Sequence, residues 1–160
     1  MKKTFLSTLA ALLLVIVLAS TVLAAPSASE RELLLKGSLE TTETQQAIFP
    51  TVFVNGTGSG NATQLGLYTM SYQAQVNIPT LAGVTSATLV AADGSSLFVE
   101  GTGQGTLTAT PGIVSIVETY TITGGTGRFA GATGSFMVKR ILNRATGVSS
   151  GTIRGTIVLP

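Results

Sequence analysis

The sequence has no cysteine and no histidine. Without thiols it forms no disulfide, so an exported chain of this kind relies on its core and its backbone ladder. The Cys–His and Ser–His pairs of nucleophilic catalysis are excluded, and so are the usual zinc and iron ligand sets. Charge is also scarce: lysine, arginine, aspartate and glutamate make up 10% of the chain, which leaves few candidates for any charged site. No acid follows Glu118. Five bases do (Arg128, Lys139, Arg140, Arg144 and Arg154), but they are spread over several expected strands with few aromatics between them. No nucleic acid is expected as a partner. From Leu33 onward no segment has the 3.6-residue apolar period of a helix.

The one long apolar run lies at the start. Lys2 and Lys3 precede an apolar stretch from about Leu9 to Ala19, and Val22-Leu23-Ala24 supplies a small-residue site. This is the pattern of a secretory signal peptide over residues 1–24, with cleavage after Ala24. The alternative is a membrane anchor, but the run is shorter than the roughly 20 residues a spanning helix needs. Loss of Lys2 and Lys3 would leave seven basic residues against seven acidic ones. The organisation expected is a leader (1–24), a short N-terminal segment (25–32) and one domain over residues 33–160. The compartment expected is periplasmic or extracellular, with no membrane attachment after cleavage.

What is abundant is alternation. In YTMSYQAQVNI, Tyr68, Met70, Tyr72, Ala74, Val76 and Ile78 share one face, while Thr69, Ser71, Gln73, Gln75 and Asn77 share the other. That is a strand with one buried and one wet side. RELLLKGSLE and AIFPTVFVNG read as two further strands, and VTSATLVAA as another. Asp93-Gly94 signals a two-residue hairpin. It would set Val90 with Leu97 on one side and Leu89 with Phe98 on the other, leaving two apolar faces. IVSIVETYTIT, GSFMVKRIL and VSSGTIRGTIVL complete a set of about eight strands. Many short strands with no helices predict an all-β sandwich or barrel, and eight strands close into a barrel that holds side chains or one small ligand.

Between two of these strands lies TITGGTGRFAGATGSF, which contains Gly125, Gly127 and Ala130 at dinucleotide-fingerprint spacing. That fingerprint requires a helix after it and an acid about twenty residues on. Here an alternating strand follows and no acid does. The glycines Gly124, Gly125, Gly127, Gly131 and Gly134 are read instead as a compact connection that uses positive φ and close backbone approach, with Phe129 folding back as an apolar plug. Neither a cofactor nor a metal is implied.

The block SIVETYTITGGTGRFAGATGSF (Ser115–Phe136), with GTIRGTI near the end (Gly151–Ile157), resembles the allene oxide cyclase and dirigent barrel superfamily, and most of all its small exported bacterial members. The resemblance extends over Leu33 to Leu159, with its specific part in the Ser115–Phe136 block. It implies a single eight-stranded antiparallel β-barrel of calycin-like shape, a trimer in plant members, and hydrophobic substrates held in the barrel. In that family the glycine motif carries architecture. Where plant dirigent proteins commonly have Ala-Arg-Gly, this chain has Ala132-Thr133-Gly134.

Two charges fall on apolar strand faces. Glu118 alternates with Val114, Ile116, Tyr120 and Ile122, and Arg140 lies between Val138 and Leu142. A hairpin centred on Phe129 would pair Glu118 with Arg140, Ile116 with Leu142, Tyr120 with Val138 and Ile122 with Phe136. The two charges are read as an ion pair inside the barrel; the sharper alternatives are an anchor for a ligand head group or a general acid. Tyr68, Tyr72 and Tyr120 share apolar faces and are candidates to line the same interior. The function expected is binding of a small hydrophobic molecule, or an assembly role as a homo-oligomer. The alternative is a cyclase-like or isomerase-like enzyme acting in the barrel.

Overall fold

The computed structural model describes residues 30–160; the leader and the cleavage site expected from the sequence lie outside the described residues. Eight strands run up and down in chain order: β1 (Arg31–Ile48), β2 (Thr51–Ala62), β3 (Gly66–Asn77), β4 (Ala82–Ala91), β5 (Ser96–Leu107), β6 (Ile113–Gly125), β7 (Thr133–Asn143) and β8 (Val148–Leu159). Every neighbouring pair is antiparallel, and β1 pairs with β8, so the sheet closes into a barrel with no free edge. The expected eight-stranded all-β barrel is what forms. The only helical piece among the described residues is a 3-10 turn at Gly127–Phe129. No helix among the described residues is long and apolar enough to cross a membrane.

The period-2 pattern sets the inside of the barrel. On β3, Tyr68, Tyr72 and Ala74 are buried and the intervening Thr69, Ser71, Gln73 and Gln75 are exposed. Across the strands the inward set includes Leu35, Leu39, Val54, Leu89, Leu97, Val99, Ile122, Phe136 and Ile153. Large and small residues interdigitate. Gly56 pairs with Tyr72, and the Tyr72 ring lies where a β-carbon on Gly56 would stand.

Two strand boundaries differ from the expected ones. AIFPTVFVNG is not one strand: the cis Phe49–Pro50 bond sits in the turn between β1 and β2. β1 itself runs on well past Glu40, to Ile48. The Asp93-Gly94 hairpin also differs. Gly94 N–H bonds to Ala91 O and Ala91 N–H to Ser95 O, with Gly94 at φ +83°. This is a three-residue loop closed by a left-handed glycine, which adds one residue to the connection. Leu89 therefore pairs with Leu97 and both point inward, while Phe98 opposes Thr88 outside. The one-residue change resolves the two apolar faces into one buried face.

The two ends of the barrel differ. The β2–β3, β4–β5 and β6–β7 loops meet at one end and fill it. Leu65 from the first loop and Phe129 from the third are each 1% exposed and belong to the same buried cluster as Leu35, Leu97 and Ile157. At the other end, where the β1–β2, β3–β4, β5–β6 and β7–β8 loops lie, the interior remains partly open.

Candidate functional site

Phe129 plugs the closed end, as its place among the glycines suggests. Arg128 ties the plug down. Its guanidinium lies 4.8 Å from the Phe129 ring centroid, donates to Gln64 O at 3.0 Å and to Leu65 O at 3.3 Å, and bridges Asp93 Oδ2 at 2.7 Å. Gly124, Gly127, Gly131 and Gly134 have positive φ. Gly125 does not, which corrects the expectation for that residue. It is required for a different reason: a β-carbon there would strike Ser96 O and the Phe129 backbone. The motif is a lid on the barrel. A strand, not a helix, follows it, so no helix N-terminus is available to hold a phosphate.

Glu118 and Arg140 do meet inside the barrel, but in a different register from the one expected. The β6–β7 ladder pairs Glu118 with Val138, Ile116 with Arg140, Val114 with Leu142 and Tyr120 with Phe136. The pairing is shifted by two residues, so both side chains keep their inward face and reach each other diagonally. Arg140 Nε donates to Glu118 Oε2 at 3.0 Å and Arg140 Nη2 to Oε1 at 3.4 Å. Burial opposes the guanidinium's charge, but Glu118 chiefly, with Tyr72 and Glu43, outweighs it and holds Arg140 above the ordinary arginine value.

A second carboxylate completes the cluster, and sequence reasoning missed it. Glu43 Oε2 accepts from Arg140 Nη1 at 3.0 Å and from the Tyr72 hydroxyl at 2.6 Å, and Gln45 donates to its Oε1 at 2.8 Å. Arg140 Nη1 also donates to Ser149 Oγ at 3.1 Å, and Ser149 and Thr41 share a hydrogen bond of 2.7 Å. Glu43, Glu118, Arg140, Thr41 and Ser149 are all buried. The signal for Glu43 was present in the chain: Leu35, Leu39, Thr41 and Glu43 keep one parity along β1.

The three tyrosines separate. Tyr72 and Tyr120 sit beside Glu118 and Arg140 in the middle of the barrel, where the remaining gap is only about 20 Å³. Tyr120 stacks on Phe136 with ring centroids 5.2 Å apart. Tyr68 does not join them; its hydroxyl donates to Ser38 O at 2.9 Å, nearer the closed end. Burial pushes the ionisation of all three phenols above the ordinary tyrosine value. Tyr72 therefore acts as a neutral donor toward Glu43.

More space remains toward the open end. There a cavity of about 90 Å³ is bounded by Val52, Val76, Leu81, Val114 and Leu142, with Glu43, Glu118 and Arg140 also on its lining and exposed Arg144 beside it. Pockets that hold drug-sized molecules measure roughly 300–1,000 Å³, so this one admits a compact molecule or the end of a longer one. No group of three or more Asp or Glu among the described residues is placed to hold a metal ion.

The closed order of eight antiparallel strands can now be set beside solved structures. The chain is similar to the structure of a pterocarpan synthase dirigent protein, with a TM-score of 0.62 over 81% of this chain and 91% of that one, at 14% sequence identity. The chain has the dirigent-like barrel fold. At that identity the likeness concerns the fold. No protein-family model matches the sequence, and no curated protein matches it. For this dirigent-like barrel the chemistry therefore rests on its own side chains.

Proposed function

We propose that this dirigent-like barrel is an exported binding protein for a compact, largely apolar molecule, taken up at the open end. One observation carries the reading: an apolar cavity whose lining includes the buried, ion-paired Glu43–Arg140–Glu118 cluster. Apolar walls supply affinity by removing surface from water, and the cluster fixes the orientation of a polar head. The filled middle of the barrel sets the size limit. Native mass spectrometry of the protein purified from its own cells tests this. A co-purified small molecule, displaced in Ile116→Phe, supports the proposal. No retained molecule, together with no amide shift at the cavity wall on titration with short-chain hydrophobic compounds, overturns it.

A second reading, a cyclase-like or isomerase-like enzyme, is favoured by the presence of Glu118 on the cavity lining and by the synthase named in the similar structure. Against it, both Glu118 oxygens already accept hydrogen bonds from Arg140, which leaves Glu118 better suited to orient a ligand than to exchange protons with one.

Self-association is part of the proposal. Strands β2–β6 carry only Glu100 and the inward Glu118 as charges. Their outer wall exposes Phe53, Val84, Phe98 and Val117. A wall so poor in charge is suited to cover by a second copy of the chain. Glu100 stands near its middle, so Phe98→Lys with Val84→Lys is expected to shift an oligomer to monomer in mass photometry.

A further inference from the structure

We infer that the open-end cavity selects a ligand bearing a protonated amine on a compact apolar body. This rests on the binding reading above and names the ligand class for the same cavity.

The cluster beside the cavity holds two carboxylates and one guanidinium. Tyr72 is a neutral donor, and Thr41, Ser149 and Gln45 carry no charge, so the buried members of the cluster hold two acidic groups to one basic group. Arg144 is the second base on the lining, but it is exposed to solvent, which screens its charge, and it makes no ion pair among the described residues. Acceptor capacity is in surplus too. A carboxylate offers about four lone-pair sites, and Arg140 donates one hydrogen bond to each Glu118 oxygen. A buried negative charge with free acceptor sites costs free energy until a donor or a cation reaches it. An ammonium group supplies three donors, no acceptor and the missing charge. A hydroxyl supplies one donor and no charge. A carboxylate would be repelled by both glutamates.

The backbone keeps Glu118 in this position. Gly103 is its partner on β5, and a β-carbon on Gly103 would come within 2.8 Å of Glu118 Cγ. Glycine there lets the carboxylate lie across β5 beside the cavity. Gly83 and Gly105 also line the cavity, so part of the wall is bare backbone where side chains would have filled the space.

Three probes of matched size make the test: n-butylammonium, 1-butanol and butyrate, each titrated into the purified protein while amide shifts are followed by NMR. The expected result is that butylammonium binds about tenfold or more tightly than butanol, that butyrate fails to bind, and that the shifted amides include Val76, Gly103 and Ile116. Glu118→Gln should abolish the preference for the amine while butanol still binds. Gly103→Ala, which leaves the charges in place, should weaken the amine by displacing Glu118. Equal binding of butylammonium and butanol, or tighter binding of butyrate, overturns the amine inference and leaves the apolar cavity standing. If none of the three moves the cavity amides, the binding reading falls with it. The comparison among probes on the unaltered protein decides the question even if a variant does not fold.

Discussion

At the closed end of the barrel, Leu35, Leu97 and Ile157 are fully buried beneath Leu65 and Phe129, and the charged residues there, Arg128 and Asp93, stay on the surface. Toward the open end, Glu43, Arg140 and Glu118 are themselves buried, and a cavity remains beside them. The same eight strands thus close one end by hydrophobic packing and leave the other to a charged hydrogen-bond network. Packing is non-directional and tolerates adjustment, whereas a buried ionic network is stable only when every partner is present. The glycine motif provides the plug at one end, and the cluster provides the buried polar groups toward the other.

The largest effect expected is at the open end. Arg140→Met leaves two buried carboxylates without a cation and should cost about 3–5 kcal/mol in denaturant unfolding. Adding Glu43→Gln and Glu118→Gln to Arg140→Met should recover most of that loss, because the penalty comes from unpaired charge and not from missing contacts. If the triple variant is no more stable than the single one, the two ends do not differ in the way described. At the closed end, Phe129→Ala should cost roughly 3–5 kcal/mol through lost burial and the cavity left behind. Ile116→Ala, at a half-buried position already facing empty space, should cost clearly less. Equal losses at Phe129 and Ile116 would mean that both ends are packed alike.

These contrasts also show what the chain discloses by pattern alone. Strict alternation in β3 and β6 was enough to place Tyr72, Tyr120 and Glu118 inside, and the absence of a helical period after the glycines was enough to place a strand there. Register was harder. A shift of two residues keeps every side chain on its face, so apolar-to-apolar matching could not distinguish Glu118 opposite Arg140 from the diagonal contact observed. The turn at Gly94 was harder still, because one residue more in the loop moved Leu97 from opposite Val90 to opposite Leu89. Glu43 was overlooked because Thr41–Gln46 contains no large apolar residue to mark its parity; long-range pairing with β7 and β8 is what gives it a role.

The tyrosines offer a smaller test that samples both halves of the barrel. All three in the chain are buried, and burial raises each above the ordinary value of 10.0. In the unfolded chain the phenols ionise near that value, while in the folded protein they do not. Stability should therefore be unaffected by them below about pH 10 and should fall as pH rises beyond it. Phenolate absorbance should appear together with unfolding. Free titration of one tyrosine near its ordinary value in the folded protein would show that one region of the interior is open to water.

The smallest effect expected is on the surface of the closed end. The Asp93 carboxylate accepts from Ser95 N–H at 3.0 Å and bridges Arg128 at 2.7 Å. The Ser95 backbone, followed by the Ser95 side chain and Arg128, holds Asp93 below its ordinary value of 3.8. A lowered folded value means that the unfolded chain binds the proton first. The contribution of Asp93 to stability is therefore present above pH 3.8 and is lost as pH falls through the lower folded value. Both partners are exposed to solvent, so salt should screen the ion-pair part. Asp93→Asn should lower stability slightly at neutral pH, and the gap from the parent protein should close as the medium is acidified below pH 3.8. The Arg128 contacts to Gln64 O and Leu65 O, which do not depend on Asp93, should keep the plug seated throughout. If Asp93→Asn instead exposes Phe129 to solvent or opens the β6–β7 loop, the ion pair holds the lid, and the closed end depends on charge as the open end does.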